Sequence, residues 1–367
     1  MRARNITLLY DAIEDEAQEE HEDEPVYRQV ARALTERDHK VTTLAATPDL
    51  KSLIQALERD ESDVVFNLCE SLGGEDRHAT RVASLLELLG KRFTGAGSLG
   101  LTLAEDKALS KKLFAFHGIR SPRFSVMHEG KVEWSDDLQF PLFVKPSSSD
   151  SSVGIDEGSL VNNLKELMER ISYIQAELKV PALIEEFIDG RELFVSVIER
   201  DGYTALPILE WDFSKCKGPK FATAEAKWNK ASEGYKAPER FPTDIPEAVT
   251  RAIQSAAVDA CQALRIFDYG RVDMRVRRRP ELPADDPKEL GAVHHRGQSQ
   301  PLPRRTRRGR DGCARRRAAL SRAAGDDPRL GRAARAARLS SAAYSGNSHG
   351  THLPTTPHNV PRAIASA

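Results

Sequence analysis

Large apolar side chains are nearly missing from the end of this chain. From Lys288 to Ala367 there is no Phe or Trp, and Tyr344 is the only aromatic residue. Such a stretch buries little surface to offset the entropy of ordering it. Acid is scarce there too: 16 Lys+Arg stand against 4 Asp+Glu, leaving 38 against 51 for the first 287 residues. The net charge of −1 therefore joins two unlike parts. Cysteine is sparse: Cys69, Cys216, Cys261 and Cys313 show neither disulfide-framework nor metal-ligand spacing. No apolar run approaches the roughly 20 residues that span a bilayer. The N-terminus, MRARNITLLYDAIEDE, turns acidic where a secretory leader would need a longer apolar stretch. A cytoplasmic protein without a membrane partner is expected. The Walker phosphate loop is absent, as is any internal repeat.

What is present supports a sizeable core, with 40% hydrophobic residues over 367. Short β-rich runs alternate with helical patterns in the first hundred residues. Strands are expected at Ile6–Tyr10, Val41–Leu44 and Asp63–Asn67. Helices are expected from Pro25 to about Arg37, through Leu50–Leu57, and over Arg77–Leu89. Alternation of this kind implies a parallel sheet, whose ligands bind at the carboxyl ends of strands. That rule points to the loop Leu68–Asp76. The acidic Glu14–Glu24 run reads as a solvated loop or a substrate-binding lip. Farther on come helices at Leu101–His117, Leu160–Leu178 and Pro246–Leu264. Strands are expected at Phe140–Lys145, Ala182–Phe187, Glu192–Glu199 and Gly270–Val276.

Three segments carry candidate chemistry. In FVKPSSSDSSVGI, Phe143–Ile155, a strand delivers Lys145 to a serine loop that ends at Gly154. Small residues admit backbone N–H groups to a polyphosphate, and lysine adds a point charge. A Ser-rich surface loop with a solvated lysine has the same composition. In IEEFIDGRELFV, the backbone of Glu186, Phe187 and Ile188 could meet an adenine edge, and Glu192 could accept from ribose hydroxyls. The plain alternative is a hairpin with solvated acids. In DYGRVDMRV, alternation puts Arg271, Asp273 and Arg275 on one strand face. Arg271 could hold developing negative charge and Asp273 a Mg²⁺ ion, or the face could carry a solvent-exposed ion pair.

In this order and spacing the three segments resemble the ATP-grasp superfamily, specifically the D-alanine–D-alanine ligase family. Val64–Gly97 resembles that family's strand, substrate loop and following helix. LAEDKALSKKLFAFHGI resembles the opening of its nucleotide-binding part, and EAKW, Glu225–Trp228, its phosphate-closing loop. The resemblance implies an α/β and α+β chain: an ATP-grasp fold behind a Rossmann-like parallel sheet. The implied parts are residues 1–102, a lid at 103–190, a truncated C-terminal part at 191–285 and a disordered basic tail at 286–367. It implies ATP as cofactor with Mg²⁺ or Mn²⁺, a small amino acid as substrate, and a homodimer. Lys107 and Lys145 would meet the phosphates and base side, and Ser151, Ser152 and Gly154 would form the phosphate lid. Glu185, Phe187 and Glu192 would clamp adenosine, while Lys227 would reach the triphosphate. Arg271 would stabilise the reacting carboxyl-phosphate and Asp273 hold the metal. Ser152, Lys227 and Arg271 are the implied catalytic groups. A related carboxylate–amine ligase and a non-catalytic nucleotide-binding remnant remain open beside the dipeptide ligase.

The chain departs from the family twice. The first strand leads into YDAIEDEAQEEHEDEP rather than a Gly/Ser turn with its glutamate. Also, no Glu-Val-Asn-x-x-Pro motif follows the Arg-Val-Asp strand. Its window holds Lys288–Arg304, KELGAVHHRGQSQPLPR. Suitable codons for this peptide, read one base later, give Lys-Ser-Trp-Glu-Leu-Phe-Ile-Ile-Glu-Val-Asn-Pro-Asn-Pro-Tyr-Leu-Asp. The missing motif then stands in its place behind an apolar strand. A one-base frameshift between Arg279 and Lys288 is therefore inferred, and an Arg/Ala-rich composition is what GC-rich DNA yields out of frame. A basic nucleic-acid-binding arm is the competing reading. The expected tail would leave the Gly270–Val276 strand with an unpaired edge.

Overall fold

The computed structural model describes residues 3–13, 24–129, 131–133, 137–148, 154–277 and 293–298. In the first sheet, β1 (Asn5–Asp11) lies between β2 (Lys40–Ala46) and β3 (Val64–Asn67), parallel to both. Helices α1 (Val26–Thr35), α2 (Leu50–Arg59) and α3 (Ala79–Leu88) follow the three strands in turn. One core joins Leu9 and Val65 to Leu53 and Leu57 of α2 and to Val82 and Leu86 of α3. On the opposite face Leu8 and Tyr10 pack with Tyr27. Leu53 and Leu57 of α2, and Val82, Ala83 and Leu86 of α3, are buried at helical spacing, while Leu50 at the head of the α2 stripe and Leu88 at the end of α3 stay exposed.

Next come α4 (Ser98–Glu105) and α5 (Lys107–Phe116). The single helix expected over Leu101–His117 is thus two. Asp106 breaks it with an extended backbone, ψ 97°, and its side chain caps α5 by accepting from the Leu109 amide at 2.9 Å. The second sheet is antiparallel, in the order β5-β4-β8-β6-β7. Its strands are β4 (Phe124–His128), β5 (Lys131–Glu133), β6 (Leu142–Pro146), β7 (Leu160–Val161) and β8 (Ala182–Glu186). Helix α6 (Leu164–Tyr173) starts four residues later than its pattern suggests, because Asn163 caps it and Leu160–Val161 pairs with β6. Leu167 and Ile171 of α6 bury against Leu142, Val144 and Ile184.

The third sheet has the order β12-β11-β9-β13-β14, with β10 also on β9. It comprises β9 (Arg191–Glu199), β10 (Tyr203–Ala205), β11 (Leu209–Trp211), β12 (Glu239–Arg240), β13 (Tyr269–Val276) and β14 (Val293–Gln298). Helices α7 (Ala224–Trp228), α8 (Glu233–Lys236) and α9 (Glu247–Ala263) belong to the same part. Alternating Leu193, Val195 and Val197 of β9 meet Val249, Ile253, Ala257 and Ala260 of α9. Each buried Leu, Val or Ile among these contributes about 1.5–3 kcal/mol.

Strand β14 corrects one expectation. Val293–Gln298 runs antiparallel to β13, with Met274 opposite Val293, Asp273 opposite His294 and Arg271 opposite Gln298. The edge of β13 is therefore paired along Val293–Gln298. Ladder hydrogen bonds use only backbone groups, so an exposed edge recruits any proline-free segment that reaches it.

Candidate active site

Among the described residues the site elements are two strand pairs and the segments between them. In the second sheet, β6 and β8 run side by side with Lys145 opposite Leu183 and Phe143 opposite Glu185. Glu185 is fully buried. Its carboxylate lies 2.8 Å from Lys145 Nζ and 2.9 Å from Lys111 Nζ, so one anion is shared by two buried ammonium groups. Lys111 projects from α5 and also donates to the Pro122 carbonyl at 3.3 Å. Burial drives its ammonium down to about 8, against the pull of Glu185 the other way. Sequence reading assigned Glu185 to an adenosine clamp and passed over Lys111. The helical spacing of Lys107 and Lys111 was the available signal, but it does not tell which of the paired Lys111 and Lys112 turns inward.

The serine loop is held from both ends. Lys107 donates its backbone N–H to the Ser147 carbonyl at 3.2 Å. At the far side Gly154 adopts φ +69°, and a Cβ there would stand 2.5 Å from Leu178 Cδ1. Left-handed backbone and crowding together call for glycine. The Gly154 carbonyl accepts from Arg170 Nη2 at 2.6 Å, and Asp156 pairs with Arg170 Nη1 at 2.9 Å. Ser151 and Ser152 lie outside the described residues, as does the Glu14–Asp23 run. The loop's exit meets the segment bearing Lys227, where the Ala224 amide donates to the Ile155 carbonyl at 2.9 Å. Thr223 caps that short helix through the Ala226 amide.

Past β8 the chain turns at Asp189–Gly190 into β9. Gly190 fits closely against β13, since a Cβ would stand 2.2 Å from the Val276 carbonyl oxygen. Phe187 stacks with Phe143 at 6.2 Å between centroids, and Phe221 meets both edge-on at 5.0 and 6.2 Å. Glu186 pairs with Arg123 at 3.3 Å and Arg277 at 3.5 Å. Glu192 accepts from the Ala222 amide at 3.0 Å and from Arg275 at 3.2 Å. Ile188 and Gly190 offer their carbonyls to the same Arg275.

On β13 Arg271 and Asp273 form a two-point ion pair, Nε to Oδ1 at 2.6 Å and Nη2 to Oδ2 at 3.0 Å. Both are buried, and the guanidinium lies 4.9 Å over the Phe194 ring. The solvent-face pair weighed from the sequence is thus an interior one. Both Asp273 oxygens are engaged by Arg271. Among the described residues no group of three His, Cys, Asp or Glu side chains could hold a metal ion. The described residues therefore do not fit a complete Mg²⁺ site. At the carboxyl end of β1, Asp11 accepts from the Gly73 and Gly74 amides at 3.2 and 3.3 Å and from the Ser71 hydroxyl. This fixes the expected substrate loop by a residue the sequence reading left without a role.

A family profile described as the C-terminus of D-ala D-ala ligase matches residues 110–282. An uncharacterised protein of Sinorhizobium fredii, y4sG, is 35% identical over 257 residues, covering 68% of this chain and 73% of that one. The D-alanine–D-alanine ligase of Syntrophotalea carbinolica is 33% identical over 251 residues, covering 67% and 74%. The Bacillus anthracis D-alanine–D-alanine ligase complexed with ATP superposes with a TM-score of 0.58 at 21% identity, covering 80% of this chain and 87% of that one. These sheets form the ATP-grasp fold, and the chain belongs to the D-alanine–D-alanine ligase family.

Proposed function

We propose that the chain descends from an ATP-dependent ligase joining the carboxylate of one D-alanine to the amine of another. Its own 288–367 segment replaces part of that machinery. The carrying observation is the nucleotide-side assembly: Lys145 and Lys111 around Glu185, continuous with the Phe187–Glu192 turn that seats on β13. ATP would lie between the second and third sheets, with its base against the Phe187 turn and its phosphates toward Lys145, the serine loop and Lys227. A carboxylate attacks the γ-phosphoryl group in line, giving an acyl phosphate and ADP. The amine then displaces phosphate to form the amide. The protein's part is to position the reactants and offset charge.

Mg²⁺ belongs to the family resemblance, and the described residues do not build its site. The family match ends at residue 282, inside the interval where the reading frame is inferred to break, which supports that inference. Phosphate release with ATP and D-alanine tests both ideas. The chain as written should turn over negligibly, and restoring the second frame from codon 288 onward should give ligase activity. Robust turnover without repair would show that this chain completes its own site. A folded but inert repaired protein would count against the ligase reading.

A further inference from the structure

Arg275 is a buried guanidinium on β13, two positions beyond Asp273 and on the same strand face. Its Nε donates to the Ile188 carbonyl at 2.7 Å and its Nη2 to the Gly190 carbonyl at 2.7 Å. Both Nη1 and Nη2 reach the Lys220 carbonyl at 3.2 Å, and Nη1 also reaches Glu192 Oε2 at 3.2 Å. Its Cζ lies 5.4 Å from the Phe187 ring centroid, over the ring. These five contacts engage all three guanidinium nitrogens, a fork that neither lysine nor an apolar side chain reproduces. They join three separate segments: the turn after β8, the first residues of β9, and the approach to the Lys227 helix. The backbone supports the same arrangement, because Arg275 stands directly opposite Glu192 in the β13–β9 register.

We propose that Arg275 is a positioning residue for ribose recognition. It fixes the Glu192 carboxylate, and the carbonyls beside it, in the arrangement that accepts the two vicinal hydroxyls of a ribonucleotide. The proposal rests on the nucleotide reading above. A carboxylate held by Arg275 and the Ala222 amide is oriented before the ligand arrives, so the ligand does not bear the cost of ordering it. Without Arg275 the site keeps its aromatic wall and its lysines but loses the fixed acceptor. Binding of the base and phosphates should then persist while the preference for ribose disappears.

The test is calorimetric binding of ATP and of 2′,3′-dideoxy-ATP to the full chain, with Arg275→Met and Arg275→Lys. Hydrogen bonds to a charged acceptor predict that the unaltered chain prefers ATP by about tenfold or more. In Arg275→Met that ratio should fall to within about twofold of one. Arg275→Lys, which keeps the charge but not the fork, should lose at least about threefold of the preference, and it decides the matter if the Met variant does not fold. Weakening of both nucleotides by a common factor, with the ratio unchanged, would overturn the proposal and leave Arg275 as packing. An unaltered chain that binds both nucleotides equally would overturn it too while sparing the nucleotide site. Binding of neither would sink the nucleotide reading itself.

Discussion

Replacing Glu185 by Gln removes one buried charge and leaves two others facing each other. In the folded protein the carboxylate is fully buried and lies 2.8 and 2.9 Å from the Lys145 and Lys111 ammonium groups. Unit charges about 4 Å apart at an effective dielectric constant of about 20 interact by about 4 kcal/mol. Two such attractions disappear, and the several kcal/mol once needed to desolvate the carboxylate offset part of the loss. A net destabilisation of about 3–5 kcal/mol follows, the range for a buried pair deprived of one partner. The pH dependence carries a second signature. Lys111 is lowered from 10.5 to about 8 in the folded state, first by burial, while Glu185 acts to raise it. Between those two values the unfolded chain holds a proton that the folded chain has shed, so stability rises with pH across that window. Loss of Glu185 moves the lower edge of the window below 8. Urea unfolding at pH 7 and 8, followed by circular dichroism, should therefore show Glu185→Gln weaker by several kcal/mol at pH 7. The deficit should shrink by pH 8, where the unaltered protein has barely begun to change. A deficit under about 1 kcal/mol, or one independent of pH, would refute the shared-anion account.

Two further perturbations test the parts that place this assembly. Gly190→Ala puts a methyl group against the Val276 carbonyl at 2.2 Å, so overpacking should cost about 1–3 kcal/mol and lower the thermal midpoint; an unchanged midpoint would mean the turn is free to shift. Asp11→Ala removes the acceptor for the Gly73 and Gly74 amides. Hydrogen exchange at those two amides should accelerate, with a stability loss of about 1–3 kcal/mol, whereas undiminished protection would show that the loop holds itself.

Periodicity made much of the fold legible, because burial imposes it. The β9 alternation and the α9 stripe are visible in the sequence and meet in one core. Strand β13 was legible for the same reason, since Gly270–Val276 has the length and pattern of a buried strand. Short edge strands such as Tyr203–Ala205 and Glu239–Arg240 were not, as two or three residues carry no period. The split at Asp106 was missed because the apolar pattern runs on through it, while a capping carboxylate outweighs that continuity locally. In the site, residue types named the chemistry but not the partners. A lysine, a glutamate and an arginine each read as solvated or functional until the fold supplies a counter-charge. Glu185 with Lys111, and Arg275 with three carbonyls, are tertiary facts with no spacing signature.

The strand at Val293–Gln298 shows where backbone and side-chain information separate. Its position beside β13 is fixed by ladder bonds that any sequence can make. Read one base later, suitable codons for Val293, His294 and His295 give Phe-Ile-Ile, a composition suited to a strand under α9. Those of Arg296 and Gln298 give Glu and Asn, and Gln298 stands opposite Arg271. The shifted reading therefore places the family's missing acid and amide on the strand that flanks Arg271 and Asp273. In the chain as it stands, Asp273 is closed by the two-point pairing with Arg271, which keeps both buried charges compensated.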